Sequence, residues 1–261
     1  MQINTLKLQK GREQSVLRRH PWIFSRAIQS SIDQIEDGDV VRVTDYKENI
    51  IGIGHFQNSS LSIRLLSFED VEIDEKFWNT RLKTAAQYRT DLGFIREGYT
   101  EAFRLVHGEG DQLPGLIVDV YGTTAVLQAH SIGMHKARHQ IAQSLNALTF
   151  PQIKTVFCKS KDSLPTEYAK DVEDEWLAGQ PSSEIVIHEG GIKFCIDVVT
   201  GQKTGFFLDQ RENRNLVRGY SKNSIVLNCF SYSGGFSLYA LDGGATDVTS
   251  VDTSAGALEM L

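Results

Sequence analysis

Between Ser224 and Asp252 the sequence permits few structures. Ser224-Ile-Val-Leu-Asn-Cys229 is a short apolar run of the kind that forms a buried parallel strand. It passes into Phe230-Ser-Tyr-Ser-Gly-Gly-Phe236, then a helix from about Gly235 to Leu241, then a second apolar strand, Val248-Thr-Ser-Val-Asp252. Strand, glycine turn, helix and strand open a doubly wound α/β sheet, and the glycine pair lets backbone approach a bound cofactor. Asp252 stands 17 residues after Gly235, at the end of the second strand, where a carboxylate accepts from ribose hydroxyls. The loop does not spell GxGxxG, because Ser231, Tyr232 and Ser233 precede the adjacent glycines. A pyrophosphate cradle, and with it a nicotinamide oxidoreductase, is poorly supported. Adenosylmethionine has no phosphate and does not require that cradle. A lone glycine pair also suits an ordinary tight turn.

The rest of the chain divides by pattern into residues 1–70, 71–183 and 184–261. Asp39 to Thr44, Asn49 to Gly54 and Leu61 to Leu66 alternate and are separated by polar turns, which predicts a small β-rich barrel. A helix is expected from about Asp74 to Leu92, with Trp78, Leu82, Ala85 and Leu92 on one face and Gly93 ending it. Strands are expected at Phe103 to His107, Gly115 to Val120, Thr123 to Ala129 and Ile153 to Cys158, with one helix from Ile132 to Leu148. The polar stretch Asp162 to Gln180 reads as a connection. Ile185 to His188 and Ile192 to Asp197 flank Glu189-Gly190-Gly191 as a hairpin, and Asp209 to Tyr220 reads as a helix.

The net charge of −6 lends no global support to a nucleic-acid partner. Locally, however, Lys7, Lys10, Arg12, Arg18, Arg19 and Arg26 face a single acid, Glu13, within the first thirty residues. Beside His20 and Trp22, such a stretch grips a phosphate backbone while stacking a base, or is simply a solvated face. No apolar run approaches the roughly 18 residues of a membrane span, and Met1 to Lys10 is too polar for a signal peptide. Cys158, Cys195 and Cys229 are far apart, which argues against zinc and disulfides and for a reducing cytoplasm. His135 and His139, one helical turn apart among Lys and Arg, read as a solvated face. Cys229 reads as packing at the buried end of its strand.

Four stretches carry a family resemblance. They are Lys10-Gly-Arg-Glu-Gln-Ser-Val-Leu-Arg-Arg-His-Pro-Trp-Ile-Phe24, Leu105-Val-His-Gly-Glu-Gly-Asp-Gln-Leu-Pro-Gly-Leu-Ile-Val-Asp119, Gly201-Gln-Lys-Thr-Gly-Phe-Phe-Leu-Asp-Gln-Arg-Glu-Asn-Arg214 and the Asn228 to Phe236 loop. In this order they resemble the large-subunit ribosomal RNA cytosine-5 methyltransferases that use S-adenosylmethionine. The resemblance implies an α/β chain with a β-rich front: a PUA-like barrel, a central α+β domain and a Rossmann-like methyltransferase domain. It implies cofactor contacts by Phe207, Gln210, Arg211, Phe230, Ser231, Tyr232, Gly234 and Asp252, with Arg211 meeting the methionine carboxylate. For Phe206 and Phe207, core packing is an equal alternative for at least one, and Asp209 with Arg211 could equally be a surface pair. Arg12, Arg18, Arg19 and His20 become candidates for contact with ribosomal RNA. Trp22, Ile23 and Phe24 together look like core.

Cytosine C5 is not nucleophilic, and such enzymes activate it by adding a cysteine thiolate to the neighbouring ring carbon. In the family this cysteine and an Asp-Pro motif come from later strands. Here the prolines follow His20, Leu113, Phe150, Leu164 and Gln180, so Asp-Pro is missing. The expectation is therefore a methyltransferase domain that is incomplete at Leu261, with catalytic residues beyond it. Such a chain would bind cofactor weakly or not at all and show no catalytic turnover, and its open sheet would invite a homodimer. A methyltransferase for another ribosomal base and a non-catalytic RNA-binding module are the alternatives.

Overall fold

β-Branched residues, which suit a pleated surface packed on one side, recur through the strands of the first sheet. The computed structural model describes residues 3–94, 99–181 and 184–261. β1 (Asn4–Lys7), a helical turn α1 (Gln14–Leu17), β2 (Trp22–Phe24), β3 (Val40–Thr44), β4 (Ile50–Phe56) and β5 (Leu61–Ser67) follow in turn. The sheet order is β1-β3-β4-β5-β2, with β1 parallel to β3 and the other pairs antiparallel. Leu6, Val41, Val43, Ile51, Phe56, Ile63 and Leu65 form its core with Leu8, Val16 and Ile23. The expected barrel is not closed. β2 is three residues long and bends into a 3-10 turn at Ser25–Ala27, so no ladder joins it to β1. Among the described residues the bridge from Leu8 to Ile28 stands there instead.

α2 (Glu75–Asp91) buries Trp78, Leu82 and Ala85. Leu92, expected on that face, is exposed, because the helix has ended at Asp91 and Gly93 turns the chain. β6 (Ala102–His107), β7 (Leu116–Tyr121), β8 (Thr124–Ala129), α3 (Ile132–Lys136), α4 (Arg138–Asn146), β9 (Thr155–Cys158), α5 (Thr166–Ala169) and β10 (Glu175–Ala178) come next. Their strands form a sheet in the order β10-β9-β8-β7-β6. The single helix expected over 132–148 is broken at Ala137, where Arg138 Nη1 donates to the His135 carbonyl at 3.2 Å and competes with the helical ladder. The stretch read as a connection contributes β10, whose four half-buried residues leave no alternation to detect. His135 is not solvated: it is buried, with Nδ1 3.0 Å from the Tyr168 hydroxyl.

Two compact units emerge, Met1–Arg89 with Arg104–Asp119 and Ala125–Gln180, and Thr90–Phe103 with Val120–Thr124 and Pro181–Leu261. The second contains the hairpin β11 (Ile185–Glu189) and β12 (Ile192–Ile196), then α6 (Arg211–Tyr220), β13 (Ile225–Cys229), α7 (Gly235–Asp242), β14 (Asp247–Val251) and α8 (Ala255–Glu259). Residue 183, where the sequence pattern placed a boundary, lies outside the described residues. β13 and β14 pair in parallel, with Asn228 opposite Ser250.

One buried group in the first unit makes stability depend on pH. His55 sits against Gly133 and stacks on Trp78 at 6.4 Å, and its Nδ1 is buried without a hydrogen bond. Burial, helped by Arg64 and Lys136, pushes its pKa down from 6.5 to about 4. The unfolded chain therefore binds the proton more tightly, so stability is full above pH 6.5 and falls as pH drops towards 4. The expected loss at pH 4.5 is about 2–3 kcal/mol. Urea unfolding of the wild type and His55→Gln at pH 7 and 4.5 checks this. An equal loss in both would assign the effect to other groups.

Candidate functional site

The second unit builds its site on the turn between β13 and α7. Phe230, Tyr232 and Gly234 all have positive φ, at 59°, 48° and 74°. Two aromatic residues in the left-handed region carry strain of about 1–3 kcal/mol each, which persists only where neighbours impose it. Asp252 imposes part of it. Its Oδ2 accepts from the Tyr232 N–H at 2.8 Å and its Oδ1 from the Ser254 N–H at 2.9 Å. These backbone bonds, that of Ser254 foremost, hold the Asp252 carboxyl below the usual range, so it stays ionised at neutral pH. The Tyr232 hydroxyl accepts from the Gln202 N–H at 2.9 Å and donates to the Gly205 carbonyl at 3.3 Å. Its ring meets Phe207 edge-on at 5.3 Å. The Gly201 to Arg211 segment and the glycine turn are thus fastened together.

Features of the turn suit a ligand. The Ser231 hydroxyl is buried without a hydrogen bond. Gly234 holds a φ of 74°, a conformation that favours glycine, and a Cβ there would meet only the movable side chain of Leu261. The Phe230 ring is 92 % exposed, an outlay of apolar surface that packing does not explain. Asn228 Nδ2 donates to Ser237 Oγ at 2.8 Å, and that hydroxyl lies 2.7 Å from Ser250 Oγ, so side chains join β13, α7 and β14.

The structure brings Phe207, Phe230, Ser231, Tyr232, Gly234 and Asp252 to one loop cluster, and engages Gln210 and Arg211 elsewhere. Gln210 Oε1 accepts from Asn213 Nδ2 at 2.9 Å. Arg211 Nε donates to Glu189 Oε2 at 3.2 Å and Nη2 to the Ala102 carbonyl. The alternative surface pair with Asp209 is replaced by this anchor. Phe206 is buried and Phe207 half-buried, so the packing role falls to Phe206.

Glu189 is the residue that sequence reading passed over. It is fully buried and also meets Arg214, at 2.8 Å through Nε and 2.5 Å through Nη2, and the Tyr239 hydroxyl at 3.3 Å. Arg214 is itself buried over the Phe206 ring at 4.6 Å. An acid in a glycine turn, with arginines 22 and 25 residues away, was the available signal.

Cys229 is exposed rather than packed. It shares an open face of β13 with Ile225 and Leu227, 81 % and 64 % exposed, while α7 packs against this sheet. In the first unit Arg12, Arg18, Arg19 and His20 are all exposed. The Arg19 guanidinium lies over the Phe68 ring at 5.2 Å. Trp22 and Phe24, read as core, are exposed, and only Ile23 is buried. β2 is an edge strand, and its alternation turns one residue in three inward.

A model of the S-adenosylmethionine-dependent methyltransferases matches residues 104–260. The chain belongs to this family. A PUA-like domain model matches residues 6–68. Among curated relatives, ribosomal RNA large subunit methyltransferase I of Pseudoalteromonas atlantica is 40 % identical over 97 % of this chain and 63 % of that protein. Its namesake in Tolumonas auensis is 39 % identical over 98 % of this chain and 64 % of that protein. The chain thus spans a little under two thirds of the length of these relatives. A putative SAM-dependent methyltransferase from Streptococcus mutans shares the fold of this chain, with a TM-score of 0.77 and 23 % identity over 99 % of this chain and 65 % of that one. A putative methyltransferase complexed with SAH aligns at a TM-score of 0.79 and 23 % identity, over 99 % of this chain and 65 % of that one. No helix among the described residues is long and apolar enough to cross a membrane.

Proposed function

We propose that this protein transfers a methyl group from S-adenosylmethionine to large-subunit ribosomal RNA, at the 5-position of a cytosine. The observation that carries the cofactor assignment is the strained turn locked to an ionised Asp252, beside a buried unpaired hydroxyl and an exposed ring. These groups fit an adenosine: Asp252 would hold the ribose hydroxyls, Ser231 offers a hydrogen bond, Phe230 and Phe207 offer ring faces, and the positive φ of Gly234 shapes the turn. When bound, the cofactor supplies an electrophilic methyl group on its sulfonium. Arg211, anchored to Glu189 and Ala102, positions the start of α6 beside this cluster, and Gln210 sits at that same helix start. The RNA assignment is supported by the names of relatives at about 40 % identity, by the PUA-like match and by the exposed Arg12, Arg18, Arg19 and His20. Cys158 does not fit the nucleophile's part, because burial pushes its thiol up to about 11.

Calorimetric titration of adenosylhomocysteine, with NAD as control, tests the cofactor assignment. Adenosylhomocysteine is expected to bind and NAD to give no heat. Asp252→Asn is expected to weaken binding by about tenfold or more, the worth of a hydrogen bond to a charged group. Preference for NAD, or unchanged affinity in the variant, would overturn the assignment.

A further inference from the structure

We propose that Trp22 and Arg64 form a nucleotide-binding station on the first unit, the indole stacking an unpaired base of RNA and the guanidinium taking the adjoining phosphate. The inference rests on the reading that the protein acts on RNA, and adds to it the residues and the strandedness of the contact.

Trp22 is held as a platform. Its Nε1 donates to Glu109 Oε1 at 2.7 Å, which fixes the indole plane. His20 meets it edge-on at 5.7 Å, and His20 Nδ1 accepts the Trp22 backbone N–H at 3.2 Å. The side chain is nevertheless 36 % exposed, and Phe24 on the same strand is 52 % exposed. A large aromatic that is oriented by hydrogen bonds yet left in solvent is a surface prepared for another ring.

Arg64 supplies the charge. It stands opposite Trp22 across the β2–β5 ladder, and its aliphatic stem passes Gly115. Among the described residues it makes no hydrogen bond or ion pair, although burial disfavours its charged form and only Glu109 counters this. Glu109 is at the same time engaged with the indole N–H. Close by, Arg104 is held in a fork by Asp119 at 2.8 and 2.9 Å, and it and Arg64 both bear on His130. A half-buried guanidinium with no carboxylate bound to it retains its desolvation cost until an anion arrives, and a phosphate matches its fork. A fixed ring and a free cation side by side correspond to the base and phosphate of one nucleotide. Because the base must be unstacked to reach the indole, the partner is single-stranded RNA rather than a duplex.

Fluorescence anisotropy with a short, labelled, single-stranded oligoribonucleotide across a salt series tests the two roles separately. Trp22→Ala is expected to weaken binding by about 5- to 150-fold with an unchanged salt slope, and Trp22→Phe to keep most of the affinity. Arg64→Gln is expected to lower the slope by about 0.7, one phosphate contact fewer on a single strand. Binding should also quench tryptophan emission in the wild type more than in Trp22→Phe, since of the other two tryptophans Trp78 is buried and Trp176 packs on Phe157 at 4.8 Å. Circular dichroism of the three variants confirms folding. If the wild type binds the RNA and the variants match it in affinity and slope, the station is wrong and the RNA reading stands. If the wild type binds no RNA, the RNA reading itself falls.

Discussion

Glu189→Ala is expected to destabilise the second unit by about 3–5 kcal/mol, because it strands a buried arginine. In the native state Glu189 meets Arg211 at 3.2 Å, Arg214 at 2.8 and 2.5 Å and the Tyr239 hydroxyl at 3.3 Å, and neither Glu189 nor Arg214 reaches solvent appreciably. The intact cluster is a weak source of net stability, since desolvation of its charges offsets most of their attraction. Removing only the acid is different: Arg214 keeps its desolvation cost and loses its partner. Urea unfolding followed by far-ultraviolet circular dichroism measures the change. The paired variant Glu189→Leu with Arg214→Met should recover much of the loss, because no unpaired charge then remains. A loss below about 1 kcal/mol in Glu189→Ala would mean that water reaches Arg214. The same variant releases one of the two anchors of Arg211, so adenosylhomocysteine affinity should fall with it.

A comparable loss, about 3–5 kcal/mol, is expected for Trp78→Ala in the first unit. Trp78 on α2 is fully buried, edge-on to Phe77 at 5.2 Å and stacked on His55 at 6.4 Å. Its Nε1 donates to Gln140 Oε1 at 3.0 Å, so truncation removes a hydrogen bond as well as opening a cavity. Trp78→Phe keeps most of the volume and should cost markedly less. Loss of equal size in both variants would place the energy in the Gln140 bond rather than in packing. Thermal denaturation of the two variants beside the wild type decides between them.

Local periodicity made part of this structure legible. The runs at 225–229 and 247–251, the hairpin at 185–196 and the long amphipathic α2 all lie within a few residues of where apolar spacing predicts them. The place of Asp252 beside the glycine turn was legible too, because an acid at the end of a second parallel strand has a fixed place relative to that turn. What escaped depends on partners far along the chain. Trp22-Ile-Phe24 reads as core because three apolar residues in a row mask the alternation of an edge strand. Glu189 looks like a polar turn residue until α6 brings Arg211 and Arg214 to it. The break at Ala137 comes from one side chain reaching back to a carbonyl, which helical periodicity does not encode. Barrel closure failed for a similar reason: alternation counts strands but says nothing of whether the two edges meet.

The serine–asparagine link between β13, α7 and β14 acts as a caliper. Asn228 and Ser250 face each other in the parallel ladder, and Ser237 touches both. Sliding either strand by one residue would turn a hydrogen-bonding side chain to the opposite face and leave its partners unsatisfied. Phe230 lies two residues beyond one jaw and Asp252 two beyond the other. The span between aromatic ring and carboxylate is thereby gauged by groups that touch no ligand, and an insertion between Asn228 and Phe230 would misset it while leaving each residue present.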